Sequence, residues 1–468
     1  MIAEADNCTY TENLRLNELE YRQRKFHLQS MPRMIGVVLG TTCNIKCGHC
    51  YQRKNGETLL HPPAIAAELR RELREFYPYI STLRLIGGEV FAMPGFAELL
   101  ADVSASSNRP IVSVCTNGTL IDEAWAKRIV RMPFITLTVS IDGGTPATYA
   151  RMRQGADLNK VMANIDRVQA WKARLGSQMP YIDSFYVVMR STFREIPEYL
   201  ELMRSHGLIE VTFETLQLND QNTTRNPELM ASELIQDPAE IAELHSVLAE
   251  ALGRERANFR NIRFSGLTQL FEEHGLDARF LAERSNGLYP NCDQLADAGG
   301  GFELCPNPWT TLFLTETGGV HLCFLSESSG NWFQTPLREI WNCPDAVEKR
   351  RLMTTGRYVA SGCAEDTCGW RNDTTSHGAG GETGAAPAEQ CAIPESTAPR
   401  EVGSDLPAVR RMLTHNRERM EALELHLERA ELNRQALEAE YFTYRARPLV
   451  RIANRIYRTL DALSSRFR

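Results

Sequence analysis

Short apolar segments that each end in a polar, glycine-bearing cluster recur along the first half of the chain. They are residues 83–86 before Gly87-Gly88-Glu89, residues 111–115 before Thr116-Asn117-Gly118, and residues 135–139 before Ser140-Ile141-Asp142-Gly143. Helical patterns separate these segments, which is typical of βαβ units with parallel strands. In a barrel of parallel strands, the carboxyl ends of all strands open onto one face, where active sites are built. The pattern therefore predicts an α/β fold with a polar site at one end of a parallel sheet.

Six strand patterns of this kind are present before residue 214. They cover residues 34–39, 83–86, 111–115, 135–140, 185–189 and 209–213. Six parallel strands predict a partial (β/α)6 barrel instead of a closed eight-stranded one, and its lateral opening suits a large substrate. We place this barrel at residues 34–220, after a helical extension at 1–33 and before a mostly helical bridge at 221–291.

Three cysteines lie in the loop after the first strand pattern, spaced as Cys43-x-x-x-Cys47-x-x-Cys50. Three thiolates this close in sequence can hold three corners of a four-iron, four-sulfur cluster, which leaves one iron open to a small molecule. A structural zinc site would need four protein ligands. A zinc knuckle completed by His49 or a distant cysteine, and three unrelated core thiols, therefore remain as alternatives.

The order of these elements resembles the radical S-adenosylmethionine (SAM) enzymes over about residues 34–215. The resemblance implies that Cys43, Cys47 and Cys50 bind a 4Fe-4S cluster whose open iron takes the amino and carboxylate groups of SAM. It also implies a one-electron reductant such as flavodoxin or ferredoxin. In this family, SAM is cleaved to a 5′-deoxyadenosyl radical, which abstracts hydrogen from carbon.

The same resemblance assigns cofactor contacts to the first strand-end cluster. Gly87, Gly88 and Glu89 would lie along the amino group of SAM, with Glu89 accepting hydrogen bonds from the ammonium. The alternative is that the Glu89 side chain caps a helix.

Further cofactor contacts follow from the later clusters. The resemblance implies that Ser140 contacts the ribose, that His49 lies close to the adenine, and that Asn117 contributes to cofactor binding. It places Arg153 near the SAM carboxylate, although Arg151 competes for that role.

A second group of cysteines lies in residues 292–371. The candidate ligands of this group are Cys305, Cys323, Cys363 and Cys368. Four thiols make a complete set for a second cluster, and the arrangement resembles the SPASM and twitch domains of radical SAM enzymes. Because the dense cysteines of a full SPASM pattern are missing after Cys368, we expect one auxiliary 4Fe-4S cluster. Zinc is the alternative, and Cys292 or Cys343 could substitute as ligands.

The C-terminal residues form three predicted segments. Residues 372–404 have no hydrophobic periodicity and are interpreted as a flexible linker. Residues 405–444 carry a heptad seam that predicts a self-associating coiled coil. Residues 445–468, the second part of the predicted 405–468 region, form a basic amphipathic segment. Such a segment can lie on an anionic membrane surface, dock on an acidic partner or form a solvated helix.

Composition limits the remaining classes of function. A net charge of −7 argues against nucleic-acid binding, which needs a basic footprint. No apolar run approaches the length of a membrane span, and the first residues do not resemble a secretory signal. Twelve cysteines in such a chain are interpreted as metal ligands, not disulfides, and we expect a cytoplasmic enzyme.

Two substrate classes fit these features. The first is a small polar molecule such as a sugar, aminocyclitol or nucleotide-linked sugar, which would undergo oxidation, epimerisation or rearrangement. The second is a peptide or protein, modified by thioether formation, oxidation or epimerisation. Because only about thirty residues precede the barrel, too few for a peptide-binding winged helix, we favour the small molecule. Asp142, Tyr186 and Glu214 are predicted to face the cavity, but their spacing identifies no general acid or base among them.

Overall fold

A computed structural model describes residues 2–50, 65–216, 227–281 and 304–363, which contain a ten-stranded sheet and a two-stranded sheet. The strands are β1 (Met34–Val38), β2 (Lys46–Cys47), β3 (Thr82–Ile86), β4 (Ile111–Thr116), β5 (Ile135–Ser140), β6 (Arg153–Gln154), β7 (Tyr181–Val188), β8 (Glu210–Thr215), β9 (Asn261–Ser265), β10 (Thr311–Leu314), β11 (Gly319–His321) and β12 (Ser328–Asn331). The large sheet has the order β12-β11-β10-β1-β3-β4-β5-β7-β8-β9. All neighbours from β10 to β9 in this order are parallel, and only β11 and β12 join in antiparallel fashion.

Helices connect the parallel strands. They are α1 (Ile2–Arg22), α2 (Ala67–Arg74), α3 (Phe96–Ala105), α4 (Glu123–Ile129), α5 (Pro146–Met152), α6 (Leu158–Leu175), α7 (Ile196–Ser205), α8 (Pro227–Glu233), α9 (Pro238–Glu255), α10 (Leu267–Glu273), α11 (Asn307–Thr310), α12 (Leu337–Ile340) and α13 (Pro344–Met353). Local sequence sets their ends: the side chain of Asp157 caps α6, and Gly176 ends it in the left-handed conformation. Within the described ranges, none of the helices has the length and apolar character required to span a bilayer.

The predicted α/β fold with a partial barrel of parallel strands is confirmed, and its six predicted strands are β1, β3, β4, β5, β7 and β8. The bridge, predicted to be mostly helical, contains α8, α9 and α10 and also the short strand β9, which pairs in parallel with β8 and extends the sheet. Its segment, Asn-Ile-Arg-Phe-Ser, alternates polar and apolar residues, but it is short and lies between two helices. The predicted linker and coiled coil at 372–404 and 405–468 lie outside the described residues.

The two faces of the large sheet differ in chemistry. Tyr186 on β7 packs its ring against Tyr199 of α7, so this face of the sheet carries the helices. Because side chains alternate along a strand, Asp183 and its neighbours in the same phase lie on the opposite face, which we call the inner face. On the helix-bearing face, Leu83, Leu85 and their equivalents on neighbouring strands are fully buried and form the core.

The N-terminal segment is fastened to the second cysteine-containing region. The Asn17 amide donates to the Trp309 carbonyl oxygen at 2.6 Å. The indole of Trp309 donates to the Lys25 carbonyl oxygen, and that of Trp341 to the Ser30 carbonyl oxygen, both at 2.7 Å. Since β10 also pairs in parallel with β1, residues 304–363 continue the barrel sheet at its other edge.

Arg350 lies at the centre of this junction and is fully buried. Its guanidinium donates to the carbonyl oxygens of Pro308 at 2.7 Å, Trp341 at 2.8 Å and Phe26 at 3.0 Å, and to the Asn342 side chain at 3.3 Å. It also stacks on the Trp341 ring, 4.4 Å from the ring centroid. One side chain therefore joins the N-terminal segment to three parts of the auxiliary region.

We expect Arg350→Met to lower the free energy of unfolding by about 2–5 kcal/mol, because it leaves several buried carbonyl groups without donors. Urea denaturation of the full chain measures this effect. The matched control is Arg351→Met, because Arg351 is half-exposed and, within the part of the chain that the structure describes, forms an ion pair with Glu348 alone. It should change the free energy of unfolding by less than about 0.5 kcal/mol. Equal effects of the two substitutions would contradict the central role of Arg350.

Candidate cofactor site and auxiliary cysteine site

The loop that carries the first three cysteines lies directly against the end of β3. The Gly88 amide donates to the Gly40 carbonyl oxygen and the Glu89 amide to that of Thr42, both at 2.8 Å. A Cβ atom at Gly88 would lie 1.7 Å from the Thr42 oxygen, and Gly87 adopts a positive φ of 146°. Both glycines are therefore required for this close approach of two backbones. The contact of Gly87 and Gly88 with the amino group of SAM stays a prediction.

Glu89 is fully buried, and its carboxylate is held by the protein itself. It accepts hydrogen bonds from the Thr116 hydroxyl at 2.7 Å, from the Asn117 amide nitrogen at 2.8 Å and from the Phe91 amide nitrogen at 3.1 Å. The last bond caps the short 3-10 helix Val90–Ala92, so the capping alternative describes its side chain. Burial raises the pKa of Glu89, and these hydrogen bonds oppose that effect. Its contact with the ammonium group of SAM remains a prediction.

Asn117 connects the end of β4 to the cysteine loop. Its side-chain amide lies 3.7 Å from the Cys43 sulfur and donates to the Asn44 side-chain oxygen at 3.0 Å. The Asn117 oxygen accepts from the Thr119 amide at 2.9 Å, which fixes the direction of its donor group. A donor aimed at a ligand sulfur stabilises the thiolate and tunes a bound cluster. Burial raises the pKa of Cys43, and this amide opposes that shift.

Arg153 is held beside Cys47 by backbone pairing. β2 and β6 form a two-stranded antiparallel sheet in which Cys47 is the direct partner of Arg153. The guanidinium Nη1 lies 3.8 Å from the Cys47 sulfur. Burial raises the pKa of Cys47 to about 12 against the opposing effect of Arg153, so a metal must displace a proton there. Arg151, in contrast, is exposed and donates to the Ser191 carbonyl oxygen.

Asp142 brings His49 and Arg153 together. Its Oδ2 atom lies 3.0 Å from His49 Nε2 and 2.6 Å from Arg153 Nη2, and its Oδ1 atom accepts from the Val187 amide at 2.9 Å. Burial alone would raise the pKa of Asp142, but Arg153 and His49 outweigh it and hold that pKa at about 2. The carboxylate is therefore charged and can only accept hydrogen bonds.

Ser140 is the last residue of β5 and lies two residues before Asp142. It pairs with Phe185 of β7 and is half-buried. Because Ser140 pairs with Phe185, which lies two residues after Asp183 on β7, Ser140 lies on the inner face. Its position at the carboxyl end of a central strand is compatible with the ribose contact, which stays a prediction.

Several buried polar atoms around the cysteine loop have no hydrogen-bond partner in the described part of the protein. They include Thr42 Oγ1, His49 Nδ1, Tyr149 OH and Arg153 Nε, whereas Asp142 Oδ2, which also lacks a hydrogen bond, lies at ion-pair distance from His49 and Arg153. Buried polar groups are normally satisfied, so these atoms are the ones that a polar cofactor would contact. Together with three thiols and the donors from Asn117 and Arg153, they fit an iron–sulfur cluster with a polar ligand on its open iron.

No three His, Cys, Asp or Glu side chains within residues 2–50, 65–216, 227–281 and 304–363 form a group that could hold one metal ion. In a 4Fe-4S cube, each thiolate binds a different iron, so its ligands do not meet at a point.

The auxiliary cysteines come from three segments that hydrogen bonds hold together. The Asn307 amide, two residues after Cys305, lies 3.4 Å from the Cys323 sulfur. Ser326, in the turn after Cys323, forms an isolated antiparallel bridge with Cys363. These contacts bring together the three segments that carry Cys305, Cys323 and Cys363. Cys368 lies outside the described residues.

Cys343, the suggested substitute ligand, caps α13. Its sulfur accepts from the Ala346 amide at 3.4 Å and lies 3.3 Å from the Ser329 carbonyl oxygen. These contacts give the thiol a structural role. Cys292, the other substitute, lies outside the described residues.

The three residues predicted to face the cavity have different environments in the structure. Tyr186 does not face it, because its hydroxyl donates to the Thr192 carbonyl oxygen on the helix-bearing side. Asp142 is fully buried beside Arg153 and His49. Glu214, at the end of β8, shares the inner face and accepts a hydrogen bond of 3.3 Å from Ser265. Burial raises the pKa of Glu214, and the Ser265 hydrogen bond and the charge of Arg84 partly offset that rise.

Comparison with known families agrees with this geometry. The model of the radical SAM superfamily matches residues 37–203, and that of the SPASM iron–sulfur cluster-binding domain matches residues 305–369. The chain is a radical SAM enzyme with a SPASM domain in its C-terminal part. It therefore uses a 4Fe-4S cluster and SAM, and its SPASM domain implies further iron–sulfur binding.

The chain is also similar to individual curated proteins. The chain is 25% identical over 195 residues to GTP 3′,8-cyclase of Caulobacter vibrioides, which covers 40% of this chain and 53% of that protein. It is 23% identical over 310 residues to GTP 3′,8-cyclase of Hydrogenovibrio crunogenus, covering 64% of this chain and 81% of that protein. The chain thus spans about half of the Caulobacter relative.

A solved structure shares the fold. The crystal structure of Streptococcus suis SuiB bound to S-adenosylmethionine superposes with a TM-score of 0.50 at 13% sequence identity. The match covers 76% of this chain and 74% of SuiB. At this identity, the likeness concerns the fold alone.

Proposed function

We propose that this enzyme reductively cleaves SAM and abstracts hydrogen from a small polar substrate, such as a sugar, an aminocyclitol or a nucleotide-linked sugar. The outcome would be oxidation, epimerisation or rearrangement. The cofactors supply the electron transfer and the radical chemistry, while the protein binds, orients and shields the reactants. The observation that carries this proposal is the polarity of the inner face of the sheet.

The inner face carries polar side chains on neighbouring strands. They are Arg84, Ser113, Thr138, Ser140, Asp183, Thr212, Glu214, Arg263 and Ser265. At the β10-β1-β3 end the same face holds a small buried apolar cluster of Val38, Ile86 and Phe313, so the polar side chains are concentrated from β4 to β9. A polar interior suits a ligand with many hydroxyl groups or charges, because each polar group of the site needs a partner.

Some of these polar side chains are already paired with one another. The centre of the inner face is accessible to solvent. Arg263 donates to Asp183 at 3.0 Å, and the Thr138 hydroxyl donates to the same carboxylate at 2.8 Å. Arg84 is exposed although it lies in a central strand between the fully buried Leu83 and Leu85. An exposed arginine at this position indicates an open space over the inner face.

The named activity of the relatives supports the same substrate class. GTP 3′,8-cyclases are named for a nucleotide, which is a small polar molecule. For this chain, we propose the class and not the nucleotide itself. The reaction needs a one-electron reductant such as flavodoxin or ferredoxin, and we propose a cytoplasmic location because reducing conditions keep thiols available for clusters.

Anaerobically reconstituted full-length protein tests the proposal. With dithionite and SAM it should form 5′-deoxyadenosine, measured by chromatography, and GTP or UDP-glucose should increase the rate. No 5′-deoxyadenosine under any condition would contradict the proposed function. Stimulation by peptides alone would replace it with peptide modification.

Glu214→Gln should weaken use of the stimulating small molecule about tenfold to a hundredfold in kcat/KM, because a hydrogen bond to a charged group is worth about 1.5–3 kcal/mol. SAM cleavage without substrate should stay unchanged, because Glu214 lies on β8 away from the cysteine loop. The matched control is Glu201→Gln, an exposed residue on α7. Unchanged kcat/KM in Glu214→Gln would exclude Glu214 from substrate binding.

A further inference from the structure

Asp142 contacts both His49 and Arg153, two side chains beside the cysteine loop. Its Oδ2 atom lies 3.0 Å from His49 Nε2 and 2.6 Å from Arg153 Nη2. The second carboxylate oxygen is anchored on β7 through the Val187 amide at 2.9 Å. The carboxylate is fully buried, so the three groups form a fixed chain across the site.

This arrangement determines which atoms of the two partners remain for a ligand. His49 Nε2 faces Asp142 Oδ2 at 3.0 Å, which leaves Nδ1 on the other side of the ring. His49 Nδ1 and Arg153 Nε are both buried without a hydrogen-bond partner among the described residues. Arg153 Nη1 lies 3.8 Å from the Cys47 sulfur, so the guanidinium spans from the carboxylate to a predicted cluster ligand.

The backbone alone does not fix these side chains. Pairing of β2 with β6 places Arg153 opposite Cys47, but a long side chain there has many rotamers. His49 lies in an irregular loop between two predicted ligands. Each side chain therefore depends on a charged partner for its orientation, and both depend on the same one.

We propose that Asp142 is a positioning residue of the cofactor site: it orients His49 and Arg153 toward SAM bound beside the cysteine loop, without touching SAM itself. The proposal rests on the proposed function, in which SAM binds at this cluster. It predicts that the effects of Asp142 and its partners on SAM affinity are coupled, not additive.

The test is a double-mutant cycle of Asp142→Asn and Arg153→Met in reconstituted full-length protein. SAM binding is measured by anaerobic equilibrium dialysis against the protein with its cluster oxidised, a state that cannot donate the electron needed to cleave SAM. We expect Asp142→Asn to keep its iron and to weaken SAM binding about tenfold to a hundredfold. In protein that already carries Arg153→Met, adding Asp142→Asn should weaken SAM binding much less.

Asp102→Asn is the matched control, because Asp102 also pairs with two arginines, Arg70 at 2.7 Å and Arg74 at 3.0 Å, but on the helices outside the sheet. It should leave SAM affinity unchanged. Additive effects in the cycle, unchanged SAM affinity in Asp142→Asn, or loss of iron in parallel with affinity would overturn the proposal.

If Asp142→Asn does not fold, His49→Gln and Arg153→Lys form a second cycle. Asp142 contacts both partners, so coupled effects on SAM affinity support positioning and additive effects refute it. Binding is measured without turnover. A protein that binds SAM but makes no 5′-deoxyadenosine would therefore contradict the proposed function and not this inference.

Discussion

Replacing Cys47 by alanine is expected to abolish 5′-deoxyadenosine formation and to lower iron from about eight to about four atoms per chain, if each cysteine group holds one 4Fe-4S cluster. Cys47 supplies one of the three predicted ligands of the first cluster, and its sulfur also faces Arg153 at 3.8 Å. Residues that only support a ligand change affinity or activity about 10–100-fold, so loss of a ligand should exceed a hundredfold. Iron analysis and product chromatography measure both effects.

Cys343→Ser is the matched control for this substitution. Cys343 caps α13 through the Ala346 amide, and a serine hydroxyl can accept the same hydrogen bond. Iron content and product formation should therefore match those of the unaltered protein. A fall in iron in Cys343→Ser would make Cys343 a cluster ligand, and full activity in Cys47→Ala would remove the assigned role of the first three cysteines.

Replacing Gly88 by alanine should have the second largest effect. The added Cβ would lie 1.7 Å from the Thr42 carbonyl oxygen and 2.2 Å from its carbonyl carbon. Backbone atoms cannot rotate away from this contact, so the cysteine loop must move from the end of β3. We expect this movement to lower the free energy of unfolding by about 3 kcal/mol. We expect lower stability in urea denaturation and poor retention of the first cluster after reconstitution.

Gly253→Ala is the control, and it should change the stability of the protein in the opposite direction. Gly253 lies near the end of α9, where an added Cβ meets nothing within 4 Å. Alanine in a helix is favoured over glycine by about 0.5–1 kcal/mol, so the protein should become slightly more stable and keep its iron. If Gly88→Ala behaved like Gly253→Ala, the two backbones would not be in close contact.

The local pattern of the sequence was enough to predict most of the sheet. Apolar runs with polar clusters at their ends identified the six strands from β1 to β8 that form the partial barrel, because strand periodicity is a local property. β9 was missed because five residues between two helices resemble a helical bridge. The parallel pairing of β10 with β1 joins residues almost three hundred positions apart, which no local pattern encodes.

Candidate site residues were predicted from motif order, but their partners were not. The motif around Glu89 gave its place at a strand end, while its burial and three hydrogen bonds appear only when β3 and β4 are adjacent. Likewise, Asp142 was one of three cavity candidates until the register of β5 and β7 excluded Tyr186 and placed Asp142 beside His49 and Arg153.

By itself, the sequence determined the chemistry that this protein can carry: three closely spaced thiols after the first strand, polar strand ends in a fixed order, and a second set of cysteines. Spacing along the chain is sufficient for that, because neighbouring residues in one loop stay neighbours in any fold. The tertiary structure alone decided which distant side chains meet, since pairs such as Asp142 with Arg153 and His49 depend on strand register, backbone pairing and burial. Those contacts exist only when the sheet has formed.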